Sequence, residues 1–542
     1  MFFLFPEKIM RDATFCFSCF HNCAILPRML KDILPLDYVL HNRATKTPHK
    51  TFIKFQGKKY TCQYIDELAN TFAIFLIHHG MKQGDRVALL SHNCPEYIAA
   101  YFGIIRGGGI VLPLNNLLTH EEIDYILKDA HAKICLHDSD CAGTVQKLLR
   151  MNSRSFLHFS QIVASKQSSD SFITNQLSQH KADDISTVLY TSGTTGRPKG
   201  ALLTHRNILV NAQSATQAFQ ITQKDRFVVF LPLFHSFTYT VCVIIPLITG
   251  AMISLLPSVR PFSRVVKSLI IDRITLFIAI PTVYKILADK NMPLIVKLLL
   301  NLRVCISGAA PLPVKVLREF EAAFKVPLLE GYGLTEASPV VSVNPLDPQK
   351  KKPGTVGLPL PGVEVKVVDD CGIPLPPGTP GELIVKGPNV MQGYLNKPEE
   401  TAMAIRDGWL YTGDVASLDE TGYIKIIDRK KDMIIVDGLN VYPYEVEEVL
   451  HRHPGIQDCA MIGVPHEHEE GKELAIMYVV LHSDANVTPK ALRDYLSEHV
   501  AHYKIARRFI FTTDLPRNAT GKIMKKELRN WYREKEITRP PL

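Results

Sequence analysis

Short apolar runs alternate with amphipathic stretches from residue 86 to residue 137, and this alternation constrains the fold more than any other feature of the chain. The runs RVALLS (86–91), IVLPL (110–114) and KICLH (133–137) are typical of buried strands, and the stretches PEYIAAYFGIIRGG and HEEIDYILKDA between them are typical of helices. Strands that alternate with helices form mostly parallel sheets with helices packed on their faces. The sequence therefore predicts an α/β fold.

The pattern changes twice in the second half of the chain. After about residue 350, Pro and Gly separate short alternating runs, which predicts a small, β-barrel-like antiparallel subdomain. Beyond IKIIDRKKD, helices and strands mix again, which predicts a mobile α+β domain. We therefore expect a large N-terminal domain of α/β layers over 29–429 and a C-terminal domain over 430–542. Residues 1–28 are interpreted as an uncertain extension, because Met29 opens a segment that is typical of a first helix.

The run from Phe227 to Val259 contains no Asp, Glu, Lys or Arg and is long enough to cross a bilayer. Three prolines, Gly250 and a polar stretch that includes His235 argue against a membrane span. We expect instead a buried helix and strand beside an apolar pocket.

Charge and cysteine content narrow the classes of function. A net charge of +9 on 542 residues is modest, so we expect no nucleic-acid partner. From residue 500 onward, however, eleven Lys or Arg face four Asp or Glu, a pattern that suits phosphates, an acidic partner or a solvated helix. The eleven cysteines are scattered, which favours a reducing, cytoplasmic compartment. Cys16, Cys19 and Cys23 have ligand-like spacing but lack a fourth cysteine, so we expect no metal site there.

The stretch YTSGTTGRPKG (190–200) combines glycines, four hydroxyl side chains and Lys199. It is not a standard nucleotide P-loop, because Pro198 precedes the lysine where Gly is needed and Gly200 follows it where Ser or Thr is needed. Its glycines still let backbone N–H groups approach an anion, and its hydroxyls and lysine add further donors. From these residues alone, a phosphate-binding loop and a plain flexible turn are both open.

Six further motifs follow this loop: LPLFHSF (231–237), SGAAPL (307–312), EGYGLTE (330–336), DGWLYTGD (407–414), GYIKIIDRKKDMI (422–434) and PRNATGK (516–522). In this order they resemble the motifs of adenylate-forming enzymes: acyl- and aryl-CoA synthetases, the adenylation domains of peptide synthetases, and luciferases. The resemblance extends over roughly residues 35–532. Within that superfamily the chain is most similar to fatty acyl-CoA ligases for medium or long chains.

The resemblance implies residues for each part of ATP. The residues implied to hold the β- and γ-phosphates are Thr191, Ser192, Gly193, Thr194, Thr195 and Lys199. Gly308, Ala309 and Ala310 are implied to form a flat shelf under adenine, with Tyr332 stacking on its other face. Asp414 and Arg429 are implied to bind the ribose hydroxyls, for which a carboxylate and a guanidinium are suitable partners.

The same resemblance implies catalytic roles. Glu336 is expected to be the Mg²⁺ ligand and Thr335 to contact the α-phosphate, while His235 is expected to lie near the substrate carboxylate. Lys522 is expected to bridge that carboxylate and the α-phosphate. Lys431 is expected to be the hinge of the C-terminal domain. Without the resemblance, the preferred interpretation is a helix-start acid for Glu336, a satisfied core histidine for His235 and a turn residue for Asp414.

The activity that follows is ATP-dependent activation of a fatty acid. The acid would form acyl-AMP and pyrophosphate, and the thiol of coenzyme A would then displace AMP. Acyl carrier protein is the alternative acceptor, since the basic C-terminus would also attract an acidic protein. A cytoplasmic enzyme with peripheral membrane contact is compatible with this activity, and a non-catalytic protein that binds nucleotide and lipid is the alternative from another class.

Overall fold

The computed structural model describes residues 34–151, 154–165, 180–191, 198–289, 293–436, 439–465, 473–518 and 521–537. The predicted extension over 1–28 with its three cysteines lies outside the described residues. So do Ser192, Gly193, Thr194 and Thr195 of the predicted phosphate loop.

The strands are numbered in chain order. They are β1 Thr51–Phe55, β2 Lys58–Thr61, β3 Arg86–Leu90, β4 Ile110–Pro113, β5 Ile134–His137, β6 Ser155–His158, β7 Ile185–Thr191, β8 Lys199–Thr204, β9 Arg226–Val229, β10 Met252–Leu255, β11 Leu276–Ala279, β12 Val304–Ser307, β13 Leu328–Gly333, β14 Val340–Val343, β15 Leu358–Pro359, β16 Glu364–Val368, β17 Gly381–Lys386, β18 Gly393–Tyr394, β19 Ile405–Arg406, β20 Trp409–Leu418, β21 Ile424–Arg429, β22 Ile434–Val436, β23 Leu439–Val441, β24 Ile456–Pro465, β25 Glu473–Leu481 and β26 Arg508–Phe511.

The α-helices are numbered in the same way. They are α1 Leu36–Lys46, α2 Cys62–His78, α3 Pro95–Arg106, α4 His120–Asp129, α5 Ala142–Leu149, α6 Phe159–Ala164, α7 His205–Ala218, α8 Ser236–Tyr239, α9 Ile245–Thr249, α10 Phe262–Ile271, α11 Pro281–Asp289, α12 Leu294–Leu298, α13 Val314–Phe324, α14 Pro398–Ala404, α15 Pro443–Leu450, α16 Pro489–Ser497 and α17 Lys525–Ile537. A π-helical turn, Thr240–Ile244, joins α8 to α9.

Two large sheets carry most of the N-terminal part of the chain. One has the strand order β18-β8-β7-β4-β3-β5-β6, and the strands from β7 to β6 pair in parallel. The other has the order β15-β14-β13-β12-β11-β9-β10-β1-β2, and its strands from β13 to β1 pair in parallel. The predicted strands at 86–91, 110–114 and 133–137 are confirmed as β3, β4 and β5, and the predicted α/β fold is confirmed with them.

The antiparallel unit predicted after residue 350 is also confirmed. Strands β16, β17, β20 and β19 form an antiparallel sheet, and β21 pairs with β20. Farther along the chain, β24, β25 and β26 form a three-stranded sheet, while β22 and β23 form a hairpin. This part, with α15, α16 and α17, is the mixed α+β unit that the sequence predicted.

Close packing of α2 against α3 organises the main core. A Cβ atom added to Gly103 of α3 would lie 2.5 Å from the Cβ of Phe72 on α2, so only glycine fits at this contact. Arg106, at the end of α3, is fully buried and pairs with Asp66 of α2 at 2.5 Å. A buried charge requires such a partner. The two helices are therefore held together both by shape and by charge.

The uncharged run over 227–259 is buried, as predicted. It contributes β9, α8, α9 and β10, and the side chains of the π-helical turn are almost wholly inaccessible. Within the part of the chain that the structure describes, we find no helix with the length and apolar character needed to cross a membrane.

Candidate active site

Three of the motifs identified in the sequence lie at the carboxyl ends of strands that have a parallel neighbour. Strand β7 ends at Thr191, β12 ends at Ser307 and β13 ends at Gly333. Ligands of open α/β sheets bind at the carboxyl ends of the strands, because the loops there are free to vary. The three strand ends belong to two different sheets, and the contact between Thr191 and Glu336 joins the motif after β7 to the motif after β13.

Glu336 lies in a 3₁₀ turn, Thr335–Ala337, directly after β13. Its Oε1 accepts hydrogen bonds from the Thr191 hydroxyl at 3.3 Å and from the Tyr394 hydroxyl at 2.9 Å. Tyr394 reaches this position because β18 pairs with β8. A carboxylate is thus fixed beside the start of the predicted phosphate loop.

Lys199 lies at the other end of the same loop. It begins β8 and is the register partner of Thr191, so the two residues close the base of the loop. Its Nζ is 5.4 Å from the ring centroid of Tyr394, a cation–π distance. Thr191, Lys199 and Glu336 therefore converge, although they are distant in sequence.

Asp414 is the centre of a second polar cluster and is almost completely buried. Its Oδ1 accepts from the Nε of Arg429 at 2.8 Å, and its Oδ2 accepts from the hydroxyl of Tyr332. The carboxylate of Asp414 raises the pKa of Arg429, so the guanidinium remains charged. The three predicted residues Asp414, Arg429 and Tyr332 are brought together as one hydrogen-bonded set.

The predicted adenine shelf follows β12. Ala309 has a positive φ of 69°, and Ala310 is half-buried. A Cβ atom on Gly308 would lie 3.0 Å from the Cζ of Phe237. The small residue at 308 therefore leaves room for the ring of Phe237 as well as for any ligand, which sequence reasoning did not anticipate.

His235 precedes the short helix α8 and caps it. Its Nδ1 accepts from the backbone N–H of Phe237 at 3.3 Å. Burial lowers the pKa of His235 to about 4, so the imidazole is neutral at physiological pH. The next residue, Ser236, has its hydroxyl 3.3 Å from that of Thr335. The predicted His235 and Thr335 therefore lie on neighbouring segments.

Lys522 reaches the site from the C-terminal part of the chain. Its backbone N–H donates to Asn518 Oδ1 at 2.9 Å in a tight turn, where Gly521 has a φ of 76°. A Cβ atom on Gly521 would lie 2.5 Å from Cδ1 of Ile280, so the turn packs closely on the N-terminal part of the chain. Burial, and then the charge of Arg429, lower the pKa of Lys522 to about 8. Its amine therefore lies within electrostatic reach of the Asp414–Arg429 pair.

Lys431 is exposed and lies in the 3₁₀ turn Lys430–Asp432, between β21 and β22. On one side of it, Lys430 pairs with Asp370 at 2.8 Å and with Glu382 at 3.0 Å, both in the antiparallel sheet region. On the other side, Asp432 pairs with Arg529 of α17 at 2.9 Å. Ion pairs therefore join one end of the turn to the antiparallel sheet and the other end to α17.

One interpretation of the basic C-terminus is wrong for part of α17. Lys525 is not a solvated charge: its amine lies 2.9 Å from the carboxylate of Glu447, and its side chain is only 15% exposed. Arg529 pairs with Asp432, and Arg517 pairs with Asp458. The charge excess visible in the sequence is partly neutralised by acids from residues 432–458, which a count over one segment does not detect.

Sequence reasoning missed Tyr394 and the buried carboxyl of Glu330. Tyr394 is separated from Glu336 by 58 positions, and only the β8–β18 pairing brings them together. Glu330 precedes Tyr332 by two residues, and its Oε1 accepts from the backbone N–H of Leu312 at 2.8 Å. Glu330 stands in the quoted motif EGYGLTE, but its burial could be recognised only from the fold.

The site contains two polar clusters, one at the base of the phosphate loop and one around Asp414, and Lys522 approaches from the C-terminal part of the chain. This arrangement is that expected of an adenylate-forming enzyme. Comparison with known proteins agrees. Residues 40–395 match the AMP-binding enzyme family, and residues 445–522 match the AMP-binding enzyme C-terminal domain. The chain belongs to the AMP-binding enzyme family, so the prediction from the motifs is confirmed.

Two relatives of known name and one solved structure illustrate the similarity. The long-chain-fatty-acid–CoA ligase of Bacillus subtilis is 35% identical and covers 91% of this chain and 94% of its own length. A feruloyl-CoA synthase of Amycolatopsis is 34% identical over 90% of this chain and 97% of its own. The crystal structure of ATP-bound MatB from Rhodopseudomonas palustris is 32% identical and covers 92% of this chain and 99% of its own, with a TM-score of 0.85.

Proposed function

We propose that this chain is an ATP-dependent fatty acid–CoA ligase that works through an acyl-AMP intermediate. In the first half-reaction a carboxylate oxygen attacks the α-phosphorus of ATP, and the bond to pyrophosphate breaks. In the second, the thiol of coenzyme A attacks the acyl carbon and AMP leaves, while the thiol proton passes to solvent. The observation that carries the proposal is the close packing of the Lys522 turn on Ile280, which brings the amine within electrostatic reach of the Asp414–Arg429 pair. The named ligases that match over most of the chain confirm this activity.

Binding of ATP is assigned to two sets of residues. We propose that Asp414 accepts from the ribose hydroxyls, with Arg429 and Tyr332 holding its carboxylate in place. At the other end, the loop between Thr191 and Lys199 would hold the β- and γ-phosphates through its N–H groups, hydroxyls and amine. Gly308, Ala309 and Ala310 would face adenine. These assignments support catalysis mainly by positioning, which is what phosphoryl-group chemistry requires.

Glu336 and its hydroxyl neighbours fit Mg²⁺. The ion prefers oxygen ligands and is commonly held by one carboxylate together with substrate phosphates. The hydroxyls of Thr191 and Tyr394 converge on Oε1 of Glu336, so the carboxylate is already oriented. Bound there, the ion would offset the charge of the phosphates. Thr335, next to Glu336, would contact the α-phosphate.

Lys522 is proposed as the catalytic cation of the first half-reaction. Negative charge spreads over the α-phosphate oxygens in the transition state, and a fixed cation stabilises it without reorganisation. With a pKa near 8, the amine is charged at neutral pH. The neutral imidazole of His235 would lie near the substrate carboxylate, where it adds no competing charge.

The second half-reaction needs Lys522 to leave, and we propose that the segment from 430 onward rotates about Lys431. The domain boundary would then fall between Arg429 and Lys430. The rotation would break the 2.8 Å hydrogen bond from Lys285 Nζ to the carbonyl of Gln457, together with the packing of Gly521 on Ile280. Alternation of domain positions lets one pocket serve two reactions.

The acid is proposed to be a fatty acid and the acceptor to be coenzyme A. The buried, uncharged run over 227–259 supports an apolar acyl site, and each buried CH₂ contributes about 0.8 kcal/mol. The relatives named as CoA ligases support coenzyme A as the acceptor, with acyl carrier protein as the alternative. No contact of the described residues argues for peripheral membrane attachment.

The test is a product assay with a series of acids. Purified protein, ATP and Mg²⁺ are incubated with fatty acids from short to long and with ferulate, and either coenzyme A or holo acyl carrier protein is supplied. Mass spectrometry then follows pyrophosphate, AMP and the thioester. We expect acyl-CoA from medium or long fatty acids. Thioester on the carrier protein alone would overturn the choice of acceptor, and thioester from ferulate alone would overturn the choice of acid.

A further inference from the structure

Three side chains that could bind a metal ion meet at one edge of the sheet that contains β3 and β5, and none of them is among the residues assigned above. They are His92, Asp138 and Cys141, and their ligand atoms all lie within 4.8 Å of one another. His92 follows the end of β3, and Asp138 follows the end of β5. Because β3 and β5 are parallel neighbours, their carboxyl ends and the residues after them lie side by side.

We propose that His92, Asp138 and Cys141 form a Zn²⁺ site with three protein ligands and one open position. Imidazole nitrogen, thiolate sulfur and carboxylate oxygen are the three ligand types that zinc selects, and a set of three protein ligands leaves the fourth position for water or another group. The ligands come from two segments 46 positions apart in the chain, so the ion would join them.

Two of the three distances between the ligand atoms can be compared with those around a tetrahedral ion. With metal bonds of about 2.0 Å to nitrogen and oxygen and about 2.3 Å to sulfur, tetrahedral geometry separates nitrogen from oxygen by about 3.3 Å and nitrogen from sulfur by about 3.5 Å. His92 Nδ1 is 3.2 Å from Asp138 Oδ2 and 3.9 Å from Cys141 Sγ. The nitrogen–oxygen distance already matches, and an inward movement of the Cys141 side chain, whose sulfur lies within 4.8 Å of both other ligand atoms, would complete the geometry.

Asp138 is already oriented by surrounding donors. Its Oδ1 accepts from the backbone N–H of Cys141 at 2.9 Å, and its Oδ2 accepts from the backbone N–H of His92 at 2.7 Å and from the hydroxyl of Ser91 at 3.1 Å. Hydrogen bonds of this kind hold ligating carboxylates in established metal sites. The thiol of Cys141 is free and buried, and it would lose its proton when the ion binds.

The proposed site is accessible from solvent through His92. The side chain of His92 is 40% exposed, so an ion could enter from solvent, and the carboxylate of Asp140 is 4.0 Å from the His92 ring at the same edge. Asn93, the residue after His92, donates to the carbonyl of Leu231 at 3.0 Å and accepts from the N–H of Leu233 at 2.9 Å. A bound ion would therefore stiffen the segment that supports the loop leading to His235.

Binding of Co²⁺ and Zn²⁺ to the metal-free full-length protein tests the site. Co²⁺ should give a thiolate-to-metal charge-transfer band with tetrahedral d–d bands, and Zn²⁺ should displace it at one equivalent and raise Tm. Cys141→Ser should abolish the charge-transfer band, and His92→Gln should weaken Zn²⁺ binding at least tenfold, in line with the loss of a ligand.

Two control variants keep the result specific. Cys371→Ser removes an exposed cysteine far along the chain, and a triple serine variant at Cys16, Cys19 and Cys23 removes the cysteines near the N-terminus. Both should retain the band and the shift in Tm. Retention of the band in Cys141→Ser, its loss in the triple variant, or no binding at stoichiometric concentrations would overturn the proposal.

Discussion

Arg429 Nε lies 2.8 Å from Asp414 Oδ1, and the two residues are register partners across strands β20 and β21. The pair forms the last rung of that ladder before the turn that contains Lys431. A change in the position of this turn should therefore act on the proposed ribose site, and we expect binding of ATP to depend on the position of the C-terminal part.

Asp414→Asn should weaken ATP binding more than it affects the later step. The asparagine would keep the shape but lose the ionic bond to Arg429 and one acceptor for the ribose, and hydrogen bonds to charged groups are worth about 1.5–3 kcal/mol. We expect KM for ATP to rise by about 10- to 100-fold, while KM for coenzyme A stays within about twofold. Initial rates with each substrate varied provide the measurement. An unchanged KM for ATP would contradict the assignment.

Lys522→Ala should separate the two half-reactions. Loss of one charge-stabilising donor typically costs on the order of 10² to 10³ in rate, so release of pyrophosphate should fall by that factor. Thioester formation from synthetic acyl-AMP should survive, because Lys522 is proposed to leave the site for that step. Lys526→Ala, which removes an exposed lysine four residues away, is the matched control. Equal loss in both half-reactions would show that Lys522 has another role.

The pH profile of the first half-reaction should show the titration of the Lys522 amine. Burial and the charge of Arg429 lower the pKa of Lys522 to about 8, so the cation is present below pH 8 and is lost as pH rises through it. We expect kcat/KM for ATP to fall about tenfold per pH unit above that value, since kcat/KM follows the free enzyme. Lys522→Arg should keep its charge, so whatever activity it retains should stay flat through this range. A wild-type profile that is level to pH 10 would be the opposite result.

Glu330→Gln should change how stability depends on pH. Burial raises the pKa of the Glu330 carboxyl to about 8, so the folded protein holds a proton that the unfolded chain releases near pH 4.5. Stability linked to this group is present below the unfolded value and is lost as pH rises towards 8. The glutamine variant should therefore gain Tm relative to wild type at pH 8 and little at pH 4. Parallel curves for the two proteins would show that Glu330 is ionised in the fold.

The strands and the antiparallel unit were predictable because their signal is local. The apolar runs at β3, β4 and β5 are bounded by helical stretches, and burial on both faces keeps them uniformly apolar. Only the resemblance to family motifs allowed us to predict roles for Asp414, Arg429 and Tyr332. Their hydrogen-bonded geometry depends on strand pairing that no single segment contains.

The contacts that escaped prediction are all long-range. Tyr394 meets Glu336 through the β8–β18 pairing, and Phe237 explains Gly308 through a contact across two segments. Lys525 is typical of a solvated helix by sequence, yet in the fold its amine forms an ion pair with Glu447. A count of charged residues along one segment gives its net charge. It does not show which of those residues form ion pairs with residues from other parts of the fold.

The most direct test of the account follows one oxygen atom. A fatty acid labelled with the heavy isotope of oxygen at both carboxylate positions is incubated with the enzyme, ATP, Mg²⁺ and coenzyme A. The masses of the nucleotide and phosphate products are then measured by mass spectrometry. Attack of the carboxylate on the α-phosphorus predicts AMP with one heavy oxygen and unlabelled pyrophosphate. Unlabelled AMP, or ADP with a heavy oxygen in inorganic phosphate, would contradict the acyl-AMP route.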